Sequence, residues 1–247
     1  MARFIGRVID GSRPGKHPGF VEPELATLRT AAPAGNEYVH EIKFDGYRVQ
    51  AHKRGGLVSL WTRSGLDWTK RFPTIAVALD AVPATELILD GEVISATERG
   101  AANFSALQDD LSRSRYDRMA YYAFDILHLD GFDLRAAPLT ERKRVLAGLI
   151  EEAGGIGPVF YSEHFEEDGA MMFQKACDMG LEGIISKRRD APYRSERTQD
   201  WIKVKCLQVA RYEVMATRRA QLRSISASAK AGNCSTPAKR GPDTPTA

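Results

Sequence analysis

The chain has 247 residues, of which 43% are hydrophobic and 27% are charged, an ordinary balance for a soluble globular protein. Its net charge of +3 does not by itself indicate a nucleic-acid binder. It has no run of 18 apolar residues and no apolar signal core near the N-terminus, so we expect neither a membrane span nor export. Cys177, Cys206 and Cys234 lack metal-ligand spacing, and we interpret them as isolated cysteines in a reducing cytoplasm.

The N-terminal part of the chain predicts a loose extension followed by a β-hairpin. Residues 1–19 are basic and rich in turn-forming residues. The stretch 37–65 predicts two strands joined by a turn at Gly55 and Gly56, with Lys43 near the end of the first strand. The elements predicted after it are a helix at 71–82, a strand at 85–96, a helix at 103–114, a strand at 119–131, a helix at 138–154, a strand at 157–165, a helix at 169–180 and strands at 182–188 and 200–206.

Local signals mark the faces and ends of several predicted helices. Ile75, Leu79 and Val82 should share the buried side of the first helix. Thr140 is a plausible N-cap for the helix at 138–154, and Gly180 should end the helix at 169–180.

The order of these elements predicts an α+β domain of largely antiparallel sheets with flanking helices. We place this domain at residues 20–206. Residues 207–247 are rich in Ser, Ala, Pro and basic side chains and show no apolar period, so they are predicted to be a disordered basic tail.

The stretch HEIKFDGYRV, His40 to Val49, holds three charged residues at alternate positions. Read as one strand, it puts Glu41, Lys43 and Asp45 on a single face. A lysine on a strand face is usually solvated, so Lys43 alone indicates little. The ordered series of short segments that follows is more informative: WTRSG, LDGE, YYAFDILHLDG, EGIISKR and DWIKVK. Each segment carries one or two charged residues that the packing of its apolar residues does not require.

This series resembles the motifs of the covalent nucleotidyltransferases, and most closely those of the ATP-dependent DNA ligases of the bacterial end-joining type. The family motifs begin with KxDGxR, which KFDGYR matches, and the resemblance covers roughly residues 20 to 206. It implies an ATP-grasp-like nucleotidyltransferase domain. It also implies ATP as AMP donor, Mg²⁺ or Mn²⁺ as cofactor, DNA with nicks or breaks as substrate, and end-joining proteins as candidate partners.

The resemblance makes Lys43 the nucleophile that attacks the α-phosphorus of ATP, releases pyrophosphate and carries AMP in a phosphoramidate bond. A lysine in water has a pKa of about 10.4 and is not nucleophilic at neutral pH, but nearby cations favour loss of its proton. Lys203 and Lys205 alternate with apolar residues and so share one face, which the resemblance places at the α-phosphate. Taken alone, WIKVK also fits an edge strand protected by lysines.

By the same resemblance, five further residues surround the nucleoside. Glu41 contacts the adenine amino group, and Phe124 lies against the adenine face, although an aromatic residue in an apolar strand is more often core. Asp45 and Arg48 hold the ribose and later the 5′-phosphate of the nick. Glu92 binds the ribose hydroxyl or the metal.

The remaining motif residues are implied to contact metal or phosphate. Glu182 is a metal ligand. Arg63 matches a position that binds ribose or DNA phosphate, although ligases more often have RNG than the RSG found here. Lys187 is as consistent with a solvated lysine as with a site residue. Of the two arginines before the tryptophan of the last motif, we prefer Arg197 to Arg194 as a phosphate ligand.

Family ligases continue beyond the last lysine motif into an oligonucleotide-binding barrel that carries a sixth motif. Residues 207–247 contain too few apolar residues for such a barrel, so we expect slow lysine adenylylation and weak encirclement of DNA. Two alternatives stay open. One is an RNA ligase or a capping-type enzyme that uses GTP, and the other is a catalytically degenerate module that binds DNA ends.

Overall fold

The computed structural model describes residues 9–95, 104–155 and 157–206, and these contain eleven β-strands and four α-helices. The strands are β1 (Arg13–Pro14), β2 (Leu25–Leu28), β3 (Tyr38–Ile42), β4 (Tyr47–Arg54), β5 (Leu57–Thr62), β6 (Glu86–Ser95), β7 (Met119–Leu129), β8 (Phe132–Asp133), β9 (Val159–Tyr161), β10 (Gly183–Arg188) and β11 (Arg197–Lys205). The helices are α1 (Pro73–Asp80), α2 (Phe104–Ser112), α3 (Leu139–Glu152) and α4 (Gly169–Asp178).

The larger sheet has seven strands, ordered β1-β8-β7-β6-β4-β5, with β9 paired in parallel to β7. One of its faces packs against α1, α2 and α3, and together they bury the main apolar core. This core contains Val49 and Ala51 from β4, Ile75 from α1, Leu107 from α2 and Val145 from α3. The alternating pattern of β4 therefore leaves Arg48, Gln50 and His52 on the opposite face.

The smaller sheet has four strands, ordered β2-β11-β10-β3. Helix α4 covers one side of it through Met172 and Ala176, which pack on Ile184, Ile202 and Val204. The other side of this sheet faces the polar face of the larger sheet. A second apolar cluster joins the two, with Ile88 and Phe124 from the larger sheet and Trp201 from the smaller one.

The stretch HEIKFDGYRV is not a single strand. Strand β3 ends at Ile42, β4 begins at Tyr47, and the two belong to different sheets. A Cβ atom on Gly46 would lie 2.1 Å from the carbonyl oxygen of Val93, so only glycine fits where the chain crosses between the sheets. Lys43 and Asp45 therefore lie in the crossing connection, and the prediction of three charges on one strand face is wrong.

Most other predicted elements are confirmed, with one incorrect cap. Strands β4 and β5 form the predicted hairpin, and its turn glycines have φ of 58° and 75°. The N-cap of α3 is Pro138, and the hydroxyl of Thr140 instead donates to the carbonyl of Arg189 over 3.3 Å. Helix α4 ends just before Gly180, whose φ is 72°.

Residues 9–19, predicted to be loose, lie against the larger sheet. Strand β1 pairs with β8, and the ring centroid of His17 lies 5.2 Å from those of His52 and His128.

Cys177 and Cys206 form a disulfide, so the prediction of isolated cysteines is wrong for this pair. Cys234 and the predicted tail at 207–247 lie outside the described residues. In the part of the chain that the structure describes, no helix is both long and apolar enough to cross a bilayer.

Candidate active site

Lys43 lies where the chain passes from the smaller sheet to the larger one. Its backbone N–H donates to the carbonyl of Gly183 over 3.0 Å, and its ammonium forms an ion pair with Glu182. Gly183 has φ of 146°, and a Cβ there would lie 2.0 Å from the carbonyl of Val204, so glycine is needed where β10 begins. The start of β10 thus places Glu182 against Lys43.

Glu182 is shared between two lysines. Its second oxygen lies 2.8 Å from the ammonium of Lys205. Burial acts to raise the pKa of Glu182, but the hydrogen bonds from Lys205 and Lys43 outweigh it and hold that pKa below its ordinary value. At neutral pH this carboxylate is therefore charged and positioned between the two ammonium groups.

Lys203 is surrounded by positive charge. Burial lowers its pKa, and Lys43, Arg197, Lys205 and Arg63 lower it further. Within the described residues, no carboxylate lies within ion-pairing distance of Lys203, Arg63 or Arg197. Uncompensated cations at such close quarters are suited to binding phosphate.

The two arginines before Trp201 have different surroundings. Arg194 forms an ion pair with Asp200. Arg197 instead donates to the backbone carbonyl of Ala26 over 2.5 Å and has no acidic partner in the described part of the chain. The second environment suits a phosphate ligand better, which supports the preference for Arg197.

A narrow slot opens beside Lys43, between the polar face of the larger sheet and the smaller sheet. Its volume is about 90 Å³, and the residues that line it come from both sheets: Ala26, Glu41, Ile42, Lys43, Phe44, Arg48, Glu92, Phe124, Ile185, Lys187 and Trp201. Small-molecule sites usually measure about 300–1,000 Å³, so the slot must widen to admit a nucleoside.

A second cavity of about 450 Å³ lies on the other side of Lys43 and Phe44. Five of its 14 lining residues are aromatic, among them Tyr122 and Phe160, and Glu182 also lines it. The smaller slot is lined by more cations, because Arg48 and Lys187 join Lys43 there beside the rings of Phe124 and Trp201.

Arg48 is held firmly on the larger sheet. Its guanidinium donates to both oxygens of Asp90, over 3.0 and 2.6 Å, and to the carbonyl of Glu24 over 2.6 Å. Tyr193 also donates to Asp90 over 2.7 Å. Although burial opposes it, Asp90 raises the pKa of Arg48, so the guanidinium stays charged. A contact of Arg48 with ribose or phosphate would need an N–H group that does not donate to Asp90 or Glu24. This contact remains a prediction.

Glu92 faces Arg48 across the β4–β6 pair. Burial raises its pKa to about 8, against the attraction of Arg48 and Lys43. Among the described residues, no group of three histidine, cysteine or carboxylate side chains could hold a metal alone. Glu182 and Glu92 both interact electrostatically with Lys43. They still fit Mg²⁺, which commonly takes one or two carboxylates and completes its shell with phosphate oxygens and water.

Glu41 is 2% exposed and forms ion pairs with two buried lysines. Its Oε2 lies 2.8 Å from the ammonium of Lys187, and its Oε1 lies 2.8 Å from that of Lys143. Lys187 is 1% exposed, so the alternative of a solvated lysine is wrong.

Phe124 lies in the cluster that joins the sheets and also lines the slot. The guanidinium of Arg48 is 5.4 Å from its ring centroid, and the ammonium of Lys187 is 4.3 Å away. The core and nucleotide-binding interpretations of Phe124 are therefore compatible, because the ring packs between the sheets at the wall of the slot.

Asp45 lies in the connection between β3 and β4. It accepts a hydrogen bond from the backbone N–H of Phe104 over 3.1 Å.

Three residues of this network lie outside the predicted site: Asp90, Lys143 and Tyr193. Lys143 leaves a signal in the sequence, because it and Arg142 occupy the otherwise apolar buried face of α3. A charged residue in an apolar helical stripe is unusual unless it is paired. Asp90 and Tyr193 give no comparable signal.

Comparison with known proteins shows the family of the chain. Residues 25–205 match the family described as ATP dependent DNA ligase domain. The multifunctional non-homologous end joining protein LigD of Pseudomonas aeruginosa is 40% identical over 189 residues, which cover 76% of this chain and 22% of that protein. The SPbeta prophage-derived DNA ligase-like protein LigB of Bacillus subtilis is 35% identical over 187 residues, covering 75% of this chain and 67% of LigB.

A solved structure, mycobacterial DNA ligase D complexed with ATP and MES, matches with a TM-score of 0.65 and 34% sequence identity, covering 75% of this chain and 60% of that chain. This chain thus spans about a fifth of the LigD relative, since the match covers 22% of it. The match over residues 25–205, the identity to LigD and LigB and the shared fold show that the chain belongs to the ATP-dependent DNA ligase domain family.

Proposed function

We propose that this chain is the adenylation domain of an ATP-dependent DNA ligase, which takes AMP from ATP onto Lys43 and passes it to a 5′-phosphate at a DNA break. The observation that carries the proposal is the position of Lys43. It lies beside Glu182, a slot lined from both sheets, and a group of cations that have no acidic partner among the described residues. A related ligase D has been solved in complex with ATP, which supports ATP as the nucleotide.

In the first step, the Nζ atom of Lys43 attacks the α-phosphorus. An N–P bond forms, the bond from the α-phosphorus to the bridging oxygen breaks, pyrophosphate leaves, and Nζ loses a proton. The ion pair with Glu182 must open first, because an ammonium paired with a carboxylate has no free electron pair. Lys203, Arg63 and Arg197 then offset the negative charge at the phosphates.

Mg²⁺, when bound through Glu182, Glu92 and phosphate oxygens, supplies Lewis-acid stabilisation of that charge. Glu92 must be ionised to take part, and its raised pKa of about 8 means that metal binding and loss of its proton are coupled.

In the later steps, an oxygen of the DNA 5′-phosphate attacks the lysine-bound AMP, and Lys43 leaves. The 3′-hydroxyl of the neighbouring strand then attacks the activated 5′-phosphate, a phosphodiester forms, and AMP departs. End joining in the bacterial cytoplasm, with end-joining proteins as partners, belongs to the same proposal and is supported by the name of the LigD relative.

A catalytically degenerate DNA-end-binding module is the competing interpretation. It is disfavoured because Lys43, Glu182 and Lys203 converge at one point rather than being dispersed. The RNA ligase or GTP-dependent capping alternative is disfavoured because the LigB relative is named DNA ligase-like and the LigD relative is named for non-homologous end joining.

The direct test is incubation of the protein with α-labelled ATP and Mg²⁺. We expect acid-labile label on the parent and none on Lys43→Ala. Lys175→Ala, which removes an exposed lysine of α4 paired with Glu167, is the matched control and should label like the parent. Label that survives Lys43→Ala would show that the nucleophile has been misassigned.

A further inference from the structure

Three buried charged side chains form a cluster at the slot, which two of them, Glu41 and Lys187, line. Glu41 is 2% exposed, Lys143 is 0% exposed and Lys187 is 1% exposed. Removing ions from water costs several kcal/mol each by order of magnitude, so such a cluster is seldom the most stable way to fill a core. Its presence calls for a role beyond packing.

The two lysines approach Glu41 from different elements. Lys187 extends from β10, lines the slot and lies 4.3 and 4.2 Å from the ring centroids of Phe124 and Trp201. Lys143 extends from α3, and its ammonium lies 2.8 Å from Glu41 Oε1 and donates to the carbonyl of Ser162 over 3.0 Å. Lys143 is absent from the slot lining, so it binds the carboxylate from behind.

The carboxylate of Glu41 is one of the groups that line the slot. Glu41 pairs directly with Ile185 in the register of β3 and β10, and Phe124 contributes the facing wall from β7. A carboxylate can only accept hydrogen bonds. It therefore favours a base that presents an amino group, such as adenine, and disfavours guanine, which presents a carbonyl oxygen at the same position.

We propose that Lys143 is a positioning residue for base selectivity. By binding Oε1 from behind, it fixes the orientation in which Glu41 offers its remaining acceptor positions to the base. Lys143 touches no nucleotide itself and acts through Glu41. This inference rests on the proposed nucleotide-binding function.

The test compares the dissociation constants of ATP and GTP by isothermal titration calorimetry in EDTA, so that no AMP transfer occurs. We expect the parent to bind ATP more tightly. Lys143→Met, which keeps the chain length but removes the charge, should reduce the ATP preference at least about tenfold, because Glu41 then loses the ion pair that fixes its orientation. Lys143→Arg should retain part of the preference.

Lys53→Met is the matched structural control. Lys53 is also a buried lysine, at 9% exposed, but it donates to the carbonyls of Asp80 and Val82 on the core side of β4. It should lower the melting temperature and leave the ATP-to-GTP ratio unchanged. If Lys143→Met does not fold, Lys143→Gln takes its place, since it is neutral but can still donate to Ser162.

A double-mutant comparison identifies the route of the effect. Glu41→Gln should lose the preference, and adding Lys143→Met to it should change the ratio little further, because the two side chains act as one unit. An unchanged ratio of GTP to ATP dissociation constants in Lys143→Met would overturn the inference, and so would additive losses of ATP preference in the double variant. If ATP still binds tightly in these cases, the proposed function stands. A parent that binds neither nucleotide would overturn both.

Discussion

Lys203 is the residue at which the electrostatics of the site are least balanced. It stands among Lys43, Arg197, Lys205 and Arg63, and burial together with these cations lowers its pKa. A preorganised cation of this kind should stabilise the charge that develops as pyrophosphate leaves.

Lys203→Ala should therefore slow adenylylation of Lys43 by about 10²–10³, the usual effect of removing one preorganised donor. The measurement is the single-turnover rate of labelling with α-labelled ATP, with a thermal melt to show that the fold is retained. Lys175→Ala serves again as the distant control. A rate within about threefold of the parent would place the phosphate elsewhere.

The resemblance to the ligase motifs, rather than spacing alone, indicated the residues around Lys43, but not the ones that support them. Spacing by itself showed only that Lys203 and Lys205 share one face of β11. The pairing of Lys143 with Glu41 joins α3 to β3, and it depends on how these elements pack in three dimensions. No local signal in the sequence specifies such a contact.

At the scale of elements, the alternation of polar and apolar residues could not show that the chain crosses from one sheet to the other between β3 and β4. Polar and apolar residues continue to alternate through Lys43 and Asp45, although the strand ends at Ile42. The break is enforced by the close approach of Gly46 to Val93, which is a tertiary constraint. The hairpin at Gly55 and Gly56 was predictable, because its turn glycines are local.

The segment at residues 9–19 adds His17 to two histidines of the larger sheet, His52 and His128. Burial, and the neighbouring ring of His17, lower the pKa of His52 to about 3. An unfolded histidine takes up a proton below about pH 6.5, whereas folded His52 stays neutral until far lower pH. The contribution of His52 to stability is thus fully present above pH 6.5 and is lost as the pH falls towards 3.

His52→Gln tests this directly. Between pH 7 and pH 5, His52 alone should lower the free energy of unfolding of the parent by about 2 kcal/mol, an order-of-magnitude figure from linkage. The variant should lose correspondingly less over the same interval, measured by urea denaturation at each pH. Parallel stability curves for parent and variant would show that His52 titrates alike in both states.

At the scale of the whole molecule, counting basic residues overstates the positive surface. The segment from Lys187 to Lys205 is rich in lysine and arginine, yet most of its cations are already paired: Lys187 with Glu41, Arg188 with Asp190, Arg189 with Glu166, Arg194 with Asp200 and Lys205 with Glu182. The two other cations of the segment, Arg197 and Lys203, have no acidic partner in the described residues, and with Arg63 they lie near Lys43. Charge distribution, not net charge, therefore indicates where a phosphate backbone should lie.

The salt dependence of DNA binding follows from this distribution. Each protein cation that neutralises a DNA phosphate releases counterions, which gives a slope of about −0.9 per contact when log affinity is plotted against log salt. Arg63→Ala and Arg197→Ala should each make the slope less steep by about 0.9, measured by fluorescence anisotropy of a labelled nicked duplex between about 50 and 200 mM salt. Arg188→Ala is the matched control, because Arg188 is already bound to Asp190, and it should leave the slope unchanged. Equal changes of the slope in all three variants would contradict this prediction. They would mean that DNA phosphates contact paired and unpaired cations of the basic segment alike, and not mainly the cations around Lys43.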